Sequence, residues 1–187
     1  HFNIPKEAVT NSDVLEFQPY GDRERCVYRG FTIDLYKHAC SVKGSIHKYH
    51  NKGKHNYNDF CLSAFIDAIS QLCKDFNIEP QTIPISRIEI GVNIDIDINI
   101  REFLSYITLF NNNIPIQNSK GVTFQLSDYD VKLYKKELKG YKPKLRFEIA
   151  IKKTRKRKEI INGYATYCNT LADLMNSDVW QAFADKL

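Results

Sequence analysis

Arg87–Ile98, RIEIGVNIDIDI, alternates polar and apolar residues without a slip. Ile88, Ile90, Val92, Ile94, Ile96 and Ile98 fall on one side. Arg87, Glu89, Gly91, Asn93, Asp95 and Asp97 fall on the other. A period of two over this length, rich in β-branched residues, predicts a strand. Its apolar side should lie on helices. Its polar side carries three acids and an amide around a glycine, the residue that marks close approach of a ligand or of another backbone.

A second stretch, Lys144–Lys152 (KLRFEIAIK), repeats the opening of the first. Leu145, Phe147, Ile149 and Ile151 alternate with Lys144, Arg146, Glu148, Ala150 and Lys152. Both strands therefore carry Arg-x-Glu on the polar side, as Arg87/Glu89 and Arg146/Glu148. If the two are neighbours, two carboxylates and two guanidiniums share one surface. Either they form a cross-strand ion-pair ladder, worth about 0.2–1 kcal/mol per pair, or the carboxylates build a site for a hard cation. On spacing alone the ladder is the stronger reading.

Outward from these strands the chain reads as follows. His1–Asp22 has weak periodicity and is read as an arm, so residues 1–24 are set apart from a domain over 25–187. Arg25–Ala39 and Cys40–Tyr49 read as two strands able to pair. Asn51–Asn58 is a polar loop, and Asn58 or Asp59 caps a helix running to about Phe76. Arg101–Phe110 reads as a short helix, and Val122–Ser127 and Tyr129–Glu137 as strands. From about Lys156 to Leu187 the pattern is helical, broken near Gly163 and restarting at Asn169 or Thr170. The order ββαβαβββα predicts an α+β fold with one mostly antiparallel central sheet and helices on one face.

With 187 residues and 43% hydrophobic content, the chain can bury a core. No apolar run is long enough to cross a membrane. Five cysteines, odd in number and without a CxxC, fit free thiols in a reducing cytoplasm. Beginning at His1 and ending at Leu187 inside a helical pattern, the chain is consistent with a fragment of a longer protein.

The net charge of +5 is unevenly laid out. Lys152–Lys158, KKTRKRK, has six basic residues in seven, and Leu35–Asn58 has five lysines, four histidines and no acid. These two segments hold 11 of the 27 Lys+Arg, which leaves 16 basic against 22 acidic residues elsewhere. An acidic body with two basic patches suits a polyanion partner. His47, His50 and His55 match no standard zinc spacing. They read better as groups along nucleic acid, with Tyr49 or Tyr57 able to stack on a base. No phosphate-binding glycine loop, dinucleotide fingerprint or serine-nucleophile motif is present. Tyr164 and Tyr167, after the second basic run, are either packing residues or nucleophiles for a phosphodiester.

Together, KGSIHKYHNKGKHNYNDF, SRIEIGVNIDI, VKLYKKE, LRFEIAIKK and NTLADL resemble, in their order and spacing from about Gly44 to Leu174, the rolling-circle replication initiators of plasmids and single-stranded-DNA phages. The resemblance implies a DNA nicking and joining enzyme with a tyrosine nucleophile, Tyr164 or Tyr167, with Tyr134 also open. It implies Mg²⁺ or Mn²⁺ held by Glu89 and Glu148, with Asn93 at the family's second acidic position, and Arg87 and Arg146 steadying the carboxylates or the scissile phosphate. The Asp of the family's Tyr-Asp-Lys motif is replaced here by Lys135. DNA would be held by His47, Lys48, Asn51, His55, Asn56, Lys132, Lys135, Lys152, Lys153, Arg155, Arg157 and Lys158. The expected partner is origin DNA, single-stranded or in a hairpin, with a host helicase and a second copy of the chain as further partners, in the cytoplasm. The competing expectation is a DNA-binding domain that kept the fold without the chemistry.

Overall fold

The computed structural model describes residues 1–10, 15–152 and 169–184. The fold is α+β, but the strands form two five-stranded antiparallel sheets instead of one central sheet. Two compact units result, His1–Ser86 with Thr154–Leu187, and Arg87–Lys153.

In the first unit the strands are β1 (Phe2–Ile4), β2 (Gln18–Tyr20), β3 (Arg23–Tyr28), β4 (Phe31–Leu35) and β5 (Cys40–Gly44), in the spatial order β1-β5-β4-β3-β2. The expected arm thus supplies both edge strands. Phe2 and Ile4 are buried, as is Val9 in the short helix α1 (Glu7–Thr10). Arg25–Ala39, expected as one strand, is folded back at Arg29-Gly30. Positive φ at both positions (44° and 85°) makes the two-residue turn that matches strand twist.

The expected strand Cys40–Tyr49 is also divided. Ser45 accepts a hydrogen bond from the Lys48 amide (3.3 Å) and starts helix α2 (Ile46–His50). Helix α3 (Leu62–Asp75) begins after the expected cap, because the Asn58 side chain is engaged with Asn51 (2.7 Å) and His47 (3.0 Å). Phe65, Ala68, Ile69 and Leu72 form its buried stripe. Phe65 meets Trp180 of helix α5 (Ser177–Ala184) edge to face at 4.8 Å. The restart near Thr170 is a capped 3₁₀ turn, in which the Asp173 carboxylate accepts from the Asn169 and Thr170 amides at 2.8 and 2.9 Å.

In the second unit, β6 (Ile88–Ile94), β7 (Ile116–Asn118), β8 (Gly121–Gln125), β9 (Tyr129–Lys136) and β10 (Lys144–Ile151) lie in the order β6-β10-β9-β8-β7. The RIEIGVNI strand is therefore an edge, and LRFEI has a partner on each side. Helix α4 (Ile100–Ser105) is capped by Asn99, whose side chain accepts from the Arg101 and Glu102 amides. It is shorter than the expected Arg101–Phe110. Ile100 and Leu104 cover Val122, Phe124, Val131 and Leu145 on the apolar face of the sheet. The opposite face is left to polar side chains.

Candidate functional site

The two Arg-x-Glu strands are neighbours. Register places Arg146 opposite Asn93, Glu148 opposite Gly91, and Ala150 opposite Glu89. On the other side of β10, Glu148 faces Lys132 and Arg146 faces Tyr134. Because side chains alternate across a strand, all of these polar groups share one face.

Glu148 is the hub. It is only 7% exposed, and a carboxylate so placed needs charged or hydrogen-bonding partners. Lys132 Nζ lies 2.9 Å from its Oε1, the Tyr134 hydroxyl donates to its Oε2 at 3.2 Å, and Arg146 Nε lies 3.6 Å from Oε2. Lys132 also reaches Glu89 Oε1 at 3.3 Å, and Arg87 holds the same oxygen at 2.7 Å. Arg146 extends across β6 and donates to Asn93 Oδ1 at 3.1 Å. Glycine at 91 leaves room for it, since a Cβ there would stand 2.9 Å from the guanidinium carbon and 2.5 Å from the Phe147 carbonyl oxygen.

The electrostatics follow from these contacts. Burial pushes the Lys132 ammonium down, yet the hydrogen bond and charge of Glu148, with Glu89 behind, hold it above the usual lysine value. Burial likewise pushes Glu89 up, and Lys132 and Arg87 more than reverse it. Tyr134 is pushed up to about 12, first by burial and then by the charge of Glu148. Its hydroxyl keeps its proton and serves as a donor to Glu148.

This arrangement bears on the divalent ion. Among the described residues, no three His, Cys, Asp or Glu side chains gather at one point. Two carboxylate oxygens, from Glu89 and Glu148, do converge on one cation, the Lys132 ammonium. Hard oxygen donors of that kind, one or two carboxylates completed by water and phosphate oxygens, suit Mg²⁺ or Mn²⁺. The pair fits such an ion once Lys132 moves aside. Asn93 does not join it, because its oxygen is taken by Arg146, with Lys136 also 3.5 Å away.

The other sequence-predicted residues are dispersed. His47 stacks flat on Phe60 (4.3 Å) and faces Asn58, and Asn51 donates to the His55 carbonyl at 2.8 Å. Most of these groups knit the 51–58 loop together, and Asn56 sits half-buried within it. Lys48 has no ion partner among the described residues. Tyr49 and Tyr57, expected to stack on bases, are 2% and 4% exposed. Tyr49 instead donates to Asp75 at 2.6 Å and thereby pins α2 to α3. In the second unit, Lys135 pairs with Glu137, and Lys152 pairs with Asp130 at 2.7 Å and donates to the Leu126 carbonyl. Lys153, Arg155, Arg157, Lys158, Tyr164 and Tyr167 lie outside the described residues.

Lys132 has a place in the site that the sequence reading did not give it. Expected along DNA, it is in this structure the ion partner of both carboxylates. The signal was its alternation with Tyr134 along VKLYKK, which puts both on the face of Glu148. Among the described residues no helix is long and apolar enough to cross a membrane. Compared with protein-family models, curated proteins and solved structures, the chain matches none of them.

Proposed function

We propose that this protein nicks and rejoins one strand of DNA through a tyrosine, in the manner of the rolling-circle initiators it resembles, as a cytoplasmic replication protein. The observation that carries this reading is the cluster on the second sheet. Both Arg-x-Glu pairs meet there around one cation, beside an arginine able to bind phosphate bidentately.

In this reading Arg146 and Lys132 turn from their carboxylates toward the scissile phosphate and offset the charge that builds on its oxygens. Glu89 and Glu148, freed of Lys132, would hold Mg²⁺ or Mn²⁺, which when bound polarises a phosphoryl oxygen. Tyr134 donates to Glu148 and keeps that carboxylate aimed. Tyr164 or Tyr167 supplies the attacking oxygen. A tyrosine–phosphorus bond forms, the bond to the 3′ oxygen breaks, and the tyrosine proton passes to that leaving oxygen, which becomes a 3′ hydroxyl. The phosphotyrosine link conserves the bond for resealing.

The test is incubation with labelled single-stranded oligonucleotides and Mn²⁺, read on a denaturing gel. A protein-linked band is expected, with the modified peptide naming the tyrosine. Glu148→Gln should abolish the band and leave DNA binding nearly intact; equal loss of both sinks the role given to Glu148. The engagement of both carboxylates by Lys132 favours a second reading, a DNA-binding domain without chemistry. Binding without any adduct in the native chain would select it.

A further inference from the structure

The outer face of the first sheet carries a second cluster, of whose cations only Lys37 and Lys43 belong to a basic run of the sequence. Alternation sends Cys26, Phe31, Ile33 and Leu35 to the core. It leaves Arg23, Arg25, Thr32 and Asp34 on the opposite side, with Tyr36 just beyond β4. Asp34 lies on that outer side and is nonetheless 0% exposed. Arg25 Nε (2.6 Å) and Arg23 Nε (3.3 Å) meet its Oδ1, and Lys43 Nζ lies 3.6 Å from Oδ2. Three cations thus share one carboxylate that solvent does not reach. Asp22, exposed, takes one amino group of Arg23 at 3.0 Å, and the face remains positive on balance.

Aromatic rings are interleaved with these cations. The Arg25 guanidinium carbon sits 3.7 Å from the centre of the Tyr20 ring. Arg23 lies 5.2 Å from Tyr20 and 5.5 Å from Tyr36. Tyr20 is still 50% exposed. Next to it opens a cleft of about 480 Å³, where Lys6, Arg23, Tyr36 and Lys37 stand against Asp22 and Glu24. Lys6 and Lys37 have no ion partner among the described residues.

We propose that this face is a binding platform for single-stranded DNA, with Tyr20 stacking on a base, Arg23, Arg25 and Lys43 along the phosphates, and the cleft taking the adjoining nucleotide. A half-exposed ring backed by fixed cations is what an unpaired strand needs and a duplex cannot use, because its bases are already stacked. The buried Asp34 adds a further advantage. It anchors both guanidiniums before the strand arrives, so less side-chain freedom is lost on binding. The inference rests on the reading above only for the identity of the polymer.

The experiment is fluorescence anisotropy on a labelled oligothymidylate of about 15 nucleotides, titrated with the full chain over a range of salt. Tyr20→Leu removes a half-exposed ring, and melting temperature verifies that the variant folds. Its affinity should fall about tenfold with an unchanged salt slope, as loss of a stacking contact requires. Lys43→Gln should instead flatten the slope of log affinity against log salt by about 0.7. Native-like binding by both variants overturns the platform, and so does equal affinity for a duplex of the same length. Tyr20-dependent binding without a covalent adduct supports the platform and removes only the nicking reading. An adduct together with Tyr20-independent binding removes only the platform.

Discussion

Lys132→Met isolates the relation between the two carboxylates. Methionine keeps the length of the stem and removes the ammonium that lies 2.9 Å from Glu148 and 3.3 Å from Glu89. Removing one partner of a buried ion pair costs about 3–5 kcal/mol, because a buried charge is stranded. The cost here is smaller, since Glu89 is partly in water and keeps Arg87 at 2.7 Å, while Glu148 keeps the Tyr134 hydroxyl at 3.2 Å and Arg146 at 3.6 Å. A loss of about 2 kcal/mol is expected once solvent screening of Glu89 is allowed for. For a chain of this length that lowers the melting temperature by about 4–8 °C. Measured in chelator, the variant should melt below the native chain by that amount. With Mn²⁺ at about one hundred times its dissociation constant, binding to the folded form alone returns about 2.7 kcal/mol. The native chain should gain less, because the metal must first displace Lys132. Equal Mn²⁺ shifts in both proteins, or none in the variant, would refute the idea that Glu89 and Glu148 form a cation site.

Tyr49→Phe should cost about 1–2 kcal/mol in urea unfolding, since it deletes a hydroxyl donated to a charged group while Gln71 (2.6 Å) and Tyr28 (3.1 Å) still satisfy Asp75. Oligonucleotide affinity should not change, because the ring does not reach solvent; a tenfold loss would restore Tyr49 as a base-stacking residue. Gly91→Ala drives a methyl group against the Phe147 carbonyl and the Arg146 guanidinium, and should lower stability by about 1–3 kcal/mol and weaken phosphate binding together. A neutral effect on both would mean that Arg146 does not depend on the gap. Asp34 is held below the usual carboxylate range by the hydrogen bond from Arg25, against burial. Burial also raises Asp75, but Tyr49, Gln71 and Tyr28 outweigh it and leave it low. Both carboxylates bind protons more weakly folded than unfolded, so their stabilisation is complete above about pH 4 and is lost as pH falls through the folded values. Thermal melts should be flat from pH 7 to about 5 and fall steeply below about 4. A fall that begins near pH 6 would refute the assignment to these two carboxylates.

Strict alternation made β6 and β10 legible, and the repeated Arg-x-Glu correctly marked where their polar faces meet. Neither feature could say which strand is central. That depends on hydrogen-bond partners far along the chain, and β10 acquires β9 as its second neighbour from 16 residues away at Glu148–Lys132. The split into two sheets was hidden for the same reason, since each segment reads as a strand without naming its sheet. Local chemistry misled in two places. Arg29-Gly30 looked like part of a strand because Arg rarely takes a positive φ, and Asn58 looked like a helix cap although its side chain is committed to Asn51 and His47. Tyr49 was read as exposed for lying in a basic run. Its position on α2 turns it onto Asp75, while Lys48 beside it stays half-buried.

Charge density along the chain proved a poorer guide to the sites than alternation across a strand. The run over Leu35–Asn58 uses His47, Asn51 and His55 largely to hold its own loop. Isolated cations on alternate sheet positions are instead drawn together by single buried acids, Asp34 in the first sheet and Glu148 in the second. The two clusters carry the same formal balance, three cations to two carboxylates, and differ in where those acids lie. Around Asp34, three cations share one buried carboxylate and the second acid, Asp22, stands in water, so positive charge faces a polyanion without any rearrangement. Around Glu148, Lys132, Arg87 and Arg146 are met by two carboxylates and the Asn93 oxygen, so little charge is free until a cation is exchanged. A face whose second acid is screened by water suits holding a strand, and a face that must exchange a cation before it can act suits chemistry that should wait for its phosphate. If that division is right, raising salt should weaken oligonucleotide capture well before it affects the rate at which a bound strand reacts.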